Sequence, residues 1–284
     1  MKVLILGCGF VGLQTARLFN EAGWDVVGVT HSADSAEKLA DEPFRVIACD
    51  ISDATGMEKY RADLANPDAA IHCASSGRGG VEEYRRVYFQ GMRNVLDLVS
   101  PKRAVFTSST SVYAQTGGEW VTEESPAEPQ RETSKILRET EELVLARNGI
   151  VARLAGIYGP GRSVLLQKFF ENRATIEGDS SHVINQIHRD DAALALFFLV
   201  EKSALSGIYN VADDMPLSQR AVYEWLAKEF GKALPPSGPV DTNRKRGLTS
   251  KRVSNAKLRA LGWQPKFASF CDAVKNDPAL LPKL

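Results

Sequence analysis

Between Ala114 and Ile157 the chain contains no tyrosine. Other features are scarce as well. Thirty-five Lys and Arg balance 35 Asp and Glu, so no net charge favours nucleic acid or a membrane surface as the main partner. Only four cysteines occur, at Cys8, Cys49, Cys73 and Cys271. None forms a C-x-x-C pair and no His/Cys cluster has zinc spacing, so reduced thiols and no metal are expected. No apolar run approaches the ~18 residues of a membrane span. The opening run MKVLILG lacks the regions of a signal peptide, and a cytoplasmic location is the default expectation.

What is present is a regular alternation over the first half. Short apolar runs at Val3–Leu6, Asp25–Val29, Arg45–Ala48, Ala69–Cys73, Ala104–Ser108 and Val151–Leu154 read as strands. Helical patterns separate them at Val11–Ala22, Ala33–Ala40, Gly56–Leu64, Glu82–Val99 and Thr133–Arg147. Apolar strands spaced by helices predict an α/β fold, a doubly wound parallel sheet with helices on both faces. After Tyr158 the texture changes. The pattern predicts helices at Ser163–Asn172, Ala192–Glu201, Leu217–Phe230 and Ala256–Leu261, a strand at Gly207–Val211, and a proline-rich loop at Pro235–Pro239. The expected division is a dinucleotide-binding domain of residues 1–158 plus about 188–212. A smaller mixed domain takes about 159–187 and 213–284.

Gly7-Cys8-Gly9-Phe10-Val11-Gly12 is G-x-G-x-x-G between a strand and a helix. Gly7 permits the tight turn, Gly9 lets backbone approach a pyrophosphate, and Gly12 lets the helix pack on the strand. The helix N-terminus then faces the anion. The plainer alternative is a strand–turn–helix with chance glycines. The second strand ends in Thr30-His31-Ser32, with no acid to accept from an adenosine 2′-OH. Two hydroxyls and an imidazole make NADP the preferred expectation over NAD, although no arginine stands there. These three residues also read as the cap of the next helix. Asp50-Ile51 after the third strand fits adenine, and Cys73-Ala74-Ser75 after the fourth fits the cofactor's backbone. Each reads equally as a strand-end turn.

With these residues in view, the chain resembles the extended short-chain dehydrogenase/reductase family of nucleotide-sugar epimerases, dehydratases and reductases. The resemblance rests on GCGFVG, SSTSVY (Ser108–Tyr113), RLAGIYGPGR (Arg153–Arg162), IHRDD (Ile187–Asp191), YNVADD (Tyr209–Asp214) and RVSNAKLRALGW (Arg252–Trp263). It implies a Rossmann domain with a small C-terminal substrate domain. It also implies cofactor contacts from Phe10, Val11, Lys135, Ala155 and Ile157.

The family normally carries Y-x-x-x-K on the helix that holds Lys135. The resemblance implies that the tyrosine transfers the proton, the lysine lowers its pKa and bonds the nicotinamide ribose, and a serine, here Ser109, orients the substrate oxygen. Four residues before Lys135 stands Arg131, and Tyr88 occupies the asparagine position of the family's N-x-x-G. An arginine side chain stays protonated at any working pH and cannot act as a base, but it donates hydrogen bonds to an anion. Three readings stay open. The protein is an enzyme in which Arg131 and Ser109 stabilise an oxyanion while water or Tyr113 supplies the proton. Alternatively it is a non-catalytic NADP(H)-binding regulator, or it has lost the cofactor as well. The plain alternatives are a turn serine, a surface arginine and a solvated lysine.

Arg244-Lys245-Arg246 with Lys251-Arg252 is the densest basic run, and a solvated loop is its ordinary reading. In the resembling family basic residues there bind a nucleotide-sugar diphosphate, which makes Arg246 and Arg162 candidate substrate contacts. His72 and His188 read as core residues. The apolar stripes of Glu82–Val99 and Thr133–Arg147, which pair subunits in the family, make a homodimer the expectation. Burial of both stripes within a monomer is the alternative.

Overall fold

The computed structural model describes residues 1–77, 79–178, 182–202, 205–240 and 249–281. They divide into two compact units. The first comprises Met1–Val112, Pro129–Arg153 and Ala193–Tyr209.

Its centre is β1 (Lys2–Leu6), whose Val3, Leu4, Ile5 and Leu6 have no exposed surface. Side chains on both faces of the strand are covered, as the unbroken apolar run requires. β2 (Asp25–Thr30), β3 (Arg45–Ala48), β4 (Ala69–His72) and β5 (Ala104–Ser109) complete the first five strands. The seven-stranded sheet runs Gly207–Val211, Ile150–Leu154, β5, β4, β1, β2, β3. β1 pairs in parallel with β2 and β4, and β2–β3 and β4–β5 are parallel too. The chain thus winds outward from β1 in both directions, as a doubly wound fold must. On one face Leu4, Leu6, Val27, Val29, Ile47 and Val95 form a continuous core.

Helix α1 (Gly12–Glu21) follows β1 and buries Thr15, Ala16 and Phe19. The helical run 81–99 departs from the simple expectation. It is continuous, but Arg85–Gln90 and Val95–Val99 form wider i→i+5 turns. It ends where Ser100 adopts a left-handed backbone, φ 47°. The expected helix at Gly56–Leu64 is two short pieces, Ala54–Glu58 and Arg61–Leu64. The helix Glu132–Leu145 turns Ile136, Leu137, Thr140, Glu141 and Val144 inward.

The second unit comprises Tyr113–Glu128, Leu154–Ala192 and Asn210–Leu284. Residues 113–128 therefore group with it rather than with the doubly wound first unit. Backbone bonds give the reason: Ser250 N–H donates to Gln115, Gly118 N–H to Ser250, and Arg252 N–H to Glu119. Its core gathers Tyr158, Phe169, Ile176, Tyr223, Leu226 and Phe270. The helix Phe270–Asn276, capped by Ser269, was not foreseen, because seven residues are too few to show a period. Among the described residues no helix is long and apolar enough to cross a membrane, and no group of three potential metal ligands occurs.

His72, at the end of β4, is fully buried, with Nε2 3.0 Å from Val87 O and no partner for Nδ1. Desolvation lowers its pKa to about 4, despite the bond to Val87. The unfolded chain protonates this histidine from pH ~6.5 downward while the folded chain does not until about 4. Its contribution therefore favours unfolding progressively as pH falls through that window, by up to roughly 3 kcal/mol. Asp191 works in the opposite sense, because burial raises its carboxyl to about 6. The difference in stability between wild type and His72→Gln, followed by denaturant unfolding, should widen in favour of the variant from pH 6.5 to 4. A constant difference would rule out the buried neutral imidazole.

Candidate active site

The carboxyl ends of β1 to β4 bring the expected cofactor residues together. Gly7 and Cys8 N–H groups both donate to Val29 O, Cys49 N–H donates to Thr30 O, and Cys73 N–H donates to Leu6 O. Residues 7–12, 30–32, 49–51 and 73–75 thus share one edge of the sheet.

The three glycines of the turn are small for different reasons. Gly7 has φ 94°, and a Cβ there would lie 2.3 Å from Ala74 backbone atoms. At Gly12 a Cβ would lie 2.2 Å from Gly7 O, so α1 packs directly on the turn. A Cβ on Gly9 would meet nothing within 4 Å. The protein's own packing demands the first and third glycines but not the second. The space above Gly9 is left open. Beside it, Val11 precedes α1 without a side-chain cap and the first turn carries no acid, which leaves the helix dipole unopposed by a carboxylate. Burial pushes the Cys8 thiol up to about 12, so this cysteine is a packing residue and not a nucleophile.

At the second strand end the three candidates separate. Thr30 is buried, and its hydroxyl donates to backbone oxygens of Ser32 and Ile47. Ser32 Oγ accepts from Ser35 N–H and caps the helix Ala33–Glu37. His31 alone of the three points outward, its side chain 69% exposed, with Nδ1 3.6 Å from Asp50 Oδ2. Asp50 Oδ1 takes two bonds from Ser52, and Oδ2 takes one from Arg86. Burial works to raise the Asp50 pKa, but the bonds from Ser52 and the Arg86 charge outweigh it and hold it below the usual value. Ile51 is buried, and its carbonyl accepts from Asn94 Nδ2 at 2.9 Å.

Arg86, Asn94 and Gly91 are additions that sequence reasoning missed. They come from the 81–99 helix, where charge and periodicity resemble an ordinary solvated face. The one available signal was Gly91 in Y-F-Q-G. A Cβ there would press Ile51 Cγ1 at 3.0 Å. Tyr88, in the same motif, lies against His72, Phe106 and Tyr84.

The catalytic candidates of the first unit sit on β5 and the following helix. Ser109 ends β5, and its Oγ accepts from Ser111 N–H. Ser111 and Ser134 hydroxyls lie 3.3 Å apart, linking the strand end to the helix. A buried ion pair holds this helix in place. Glu141 has no exposed surface and binds Arg153 by two bonds, at 3.0 and 2.7 Å. It also takes a bond from Ser108 Oγ at 2.6 Å and one from Arg138. Arg131 is the N-cap residue, with extended backbone (φ −85°, ψ 135°) and no side-chain cap bond. Lys135 follows one turn later, its side chain 49% exposed and its Nζ 2.7 Å from Glu132 Oε1.

Tyr113 belongs to the second unit and has no exposed surface. Its hydroxyl donates to Asn210 Oδ1 at 2.9 Å. A phenol so enclosed does not fit the expected proton-supplying role. Ala155 is buried and donates its N–H to Val211 O, and Ile157 lies on the short strand Gly156–Tyr158. Arg162 is exposed on the Gly159–Arg162 turn. Arg246, with Arg244 and Lys245, lies outside the described residues. Lys251 and Arg252 are not solvated as the basic run suggested. Lys251 is buried, burial lowers its pKa to about 8, and its Nζ donates to Thr249. Arg252 donates to Gly118 O. His188 is buried, its Nδ1 accepting from Asp190 N–H and its Nε2 3.3 Å from Asp277 Oδ2.

The family model for the NAD dependent epimerase/dehydratase family matches residues 3–212. Protein YeeZ of Escherichia coli K12 is 27% identical over 99% of this chain and 98% of its own length. The low-salt glycan biosynthesis protein Agl12 of Haloferax volcanii is 26% identical over 97% and 96%. A solved structure of a putative NAD-dependent epimerase/dehydratase from Methylobacillus flagellatus superposes with TM-score 0.79 at 27% identity, covering 98% and 97%. The NAD complex of Thermus thermophilus UDP-glucose 4-epimerase superposes with TM-score 0.79 at 22% identity, covering 97% of each chain, and shares the fold.

The glycines give a direct test of the turn. Gly9→Ala should fold with stability within about 1 kcal/mol of wild type yet lose most binding of NADH and NADPH. Gly12→Ala should destabilise by more than that, because the clash is with backbone. Unfolding curves and nucleotide fluorescence titration read both. Equal coenzyme affinity in Gly9→Ala and wild type would remove the pyrophosphate from this position.

Proposed function

The chain belongs to the NAD dependent epimerase/dehydratase family, and on that premise we propose that it binds NADP or NAD and acts on a nucleotide-sugar or another small carbonyl or hydroxyl substrate. The observation that carries this reading is the Gly9 turn, open where a pyrophosphate would lie and closed by backbone at Gly7 and Gly12. A bound nicotinamide would supply or accept the hydride. Gly7, Gly9, Phe10, Val11 and Gly12 hold its pyrophosphate, and Asp50 and Ile51 receive the adenine. Cys73, Ala74 and Ser75 line its path, with Lys135 toward the nicotinamide ribose. Arg162 and Arg246 are assigned to the anionic part of the substrate.

For catalysis we assign Ser109 and Arg131 as donors to the developing oxyanion, with the proton coming from water. The position of Arg131 supports this role. An N-cap favours Ser, Thr, Asp or Asn, and a cation at a helix N-terminus opposes the dipole. Arg131 satisfies neither preference, and such a local conflict is expected where function selects the residue. Arg131→Ser should therefore raise stability by about 0.5–1 kcal/mol while lowering NADPH oxidation roughly a hundredfold on a panel of carbonyl and nucleotide-sugar substrates. Loss of neither, or of stability instead, would sink the assignment.

A second reading, a cofactor-binding regulator without turnover, is favoured by the engagement of Lys135 with Glu132 and the enclosure of Tyr113. Wild type that binds NADPH but oxidises none with any substrate, while its captured partners change with cofactor, would establish it.

We also propose a homodimer through helices 82–99 and 133–147. Leu98 is 51% exposed on the first of them. Leu98→Glu should shift the species in sedimentation velocity from dimer to monomer, and a wild-type monomer would contradict the proposal.

A further inference from the structure

The sequence places no arginine at the end of β2, but the fold carries one to the neighbouring strand end. Arg86 Nη1 donates to Asp50 Oδ2 and to Ser52 Oγ, each at 2.6 Å. Its Nε and Nη2 hold the two Glu83 oxygens at 2.9 and 2.6 Å. His31 Nδ1 approaches the same Asp50 oxygen at 3.6 Å. An arginine and an imidazole thus flank one carboxylate oxygen beyond β2 and β3. They come from positions 31, 50 and 86, which no sequence motif links.

Resting on the dinucleotide reading above, we infer that Arg86, together with His31, recognises the 2′-phosphate of NADP, and that Glu83 is the group that yields to it. The tip of β2 offers no carboxylate for a 2′-OH. The Thr30 and Ser32 hydroxyls are engaged within the protein, which leaves His31 facing outward. Asp50 is itself fixed by the Ser52 N–H and hydroxyl, so it holds Arg86 Nη1 in place. Glu83 is held through its two bonds to Arg86, in partial contact with solvent. It is 36% exposed and pairs with Arg86 at i,i+3, and exposed pairs of this kind contribute little. A phosphate monoester brings close to two negative charges and three acceptor oxygens. It replaces the single charge of Glu83 on the Nε–Nη2 edge, the side of a guanidinium suited to two parallel bonds. Arg86 keeps Asp50 and Ser52 through Nη1 during the exchange. Its arrangement therefore supplies a pre-positioned anion contact whose occupant depends on the coenzyme.

The test compares NADPH with NADH by fluorescence titration, and 2′,5′-ADP with 5′-AMP as competitors that isolate the adenosine end. Wild type should favour the 2′-phosphorylated member of each pair. Arg86→Ala should weaken NADPH and 2′,5′-ADP roughly ten- to hundredfold, with NADH and 5′-AMP changed by no more than about threefold. Glu83→Gln should strengthen the phosphorylated ligands and leave the others unchanged. Retained NADH binding shows that the variants are folded. If Arg86→Ala weakens both coenzymes equally, Arg86 only positions Asp50 and the inference is overturned. It is overturned too if Glu83→Gln leaves the NADPH/NADH ratio as in wild type, a variant that removes one charge from an exposed site. Failure of wild type to bind either coenzyme would instead defeat the parent reading.

Discussion

At the top of β1 backbone meets backbone with no room between. Gly7 lies against Ala74, and Gly12 lies against Gly7 itself. These two close approaches lock the turn to the end of β4 and the first helix to the turn. Gly7 and Cys8 N–H groups add the bond to Val29 on β2. Three parallel strand ends are thereby held at fixed separation, and the space over Gly9 is what remains. The proposed chemistry depends on that space, because a dinucleotide is held mainly by backbone donors and only secondarily by side chains.

A second constraint acts farther along the same sheet. Glu141 is buried among Arg153, Arg138 and Ser108, and it fastens one helix to β5 and to the strand Ile150–Leu154. Removing one partner of such a pair leaves an uncompensated buried charge, so the ties specify a single placement of the helix. That placement sets where Arg131 and Lys135 emerge relative to Ser109. Arg131 at the N-cap is locally unfavourable, and the cost is tolerable because the helix is held from its middle, not from its cap.

The two strand ends that face adenosine show how tertiary packing reassigns residues that look alike in sequence. Thr30, His31 and Ser32 were equal candidates for a phosphate. Packing uses the first to satisfy backbone carbonyls and the second helix uses Ser32 as its cap, so only the imidazole remains available. The basic run near the C-terminus divides in the same way. Lys251 and Arg252 are absorbed into the fold of the second unit, where Lys251 is buried and the strand Arg252–Val253 pairs with Trp120–Val121. A charge count along the chain cannot separate those residues from solvated neighbours.

The amino-acid order by itself determined the wound parallel sheet, since apolar runs of strand length separated by helical periods leave few other arrangements. It also determined the glycine turn, because three small residues at that spacing between strand and helix are legible without coordinates. It showed the absence of a tyrosine before Lys135, which is a matter of composition alone. Tertiary structure decided what periodicity cannot express. It buried Tyr113 and Lys251, grouped residues 113–128 with the second unit, and carried Arg86 from a helix 36 residues away to Asp50. The physical reason is common to these cases. Local patterns report which side of an element is apolar, whereas the partner of a charged or hydroxyl group is set by which distant strands and helices end side by side.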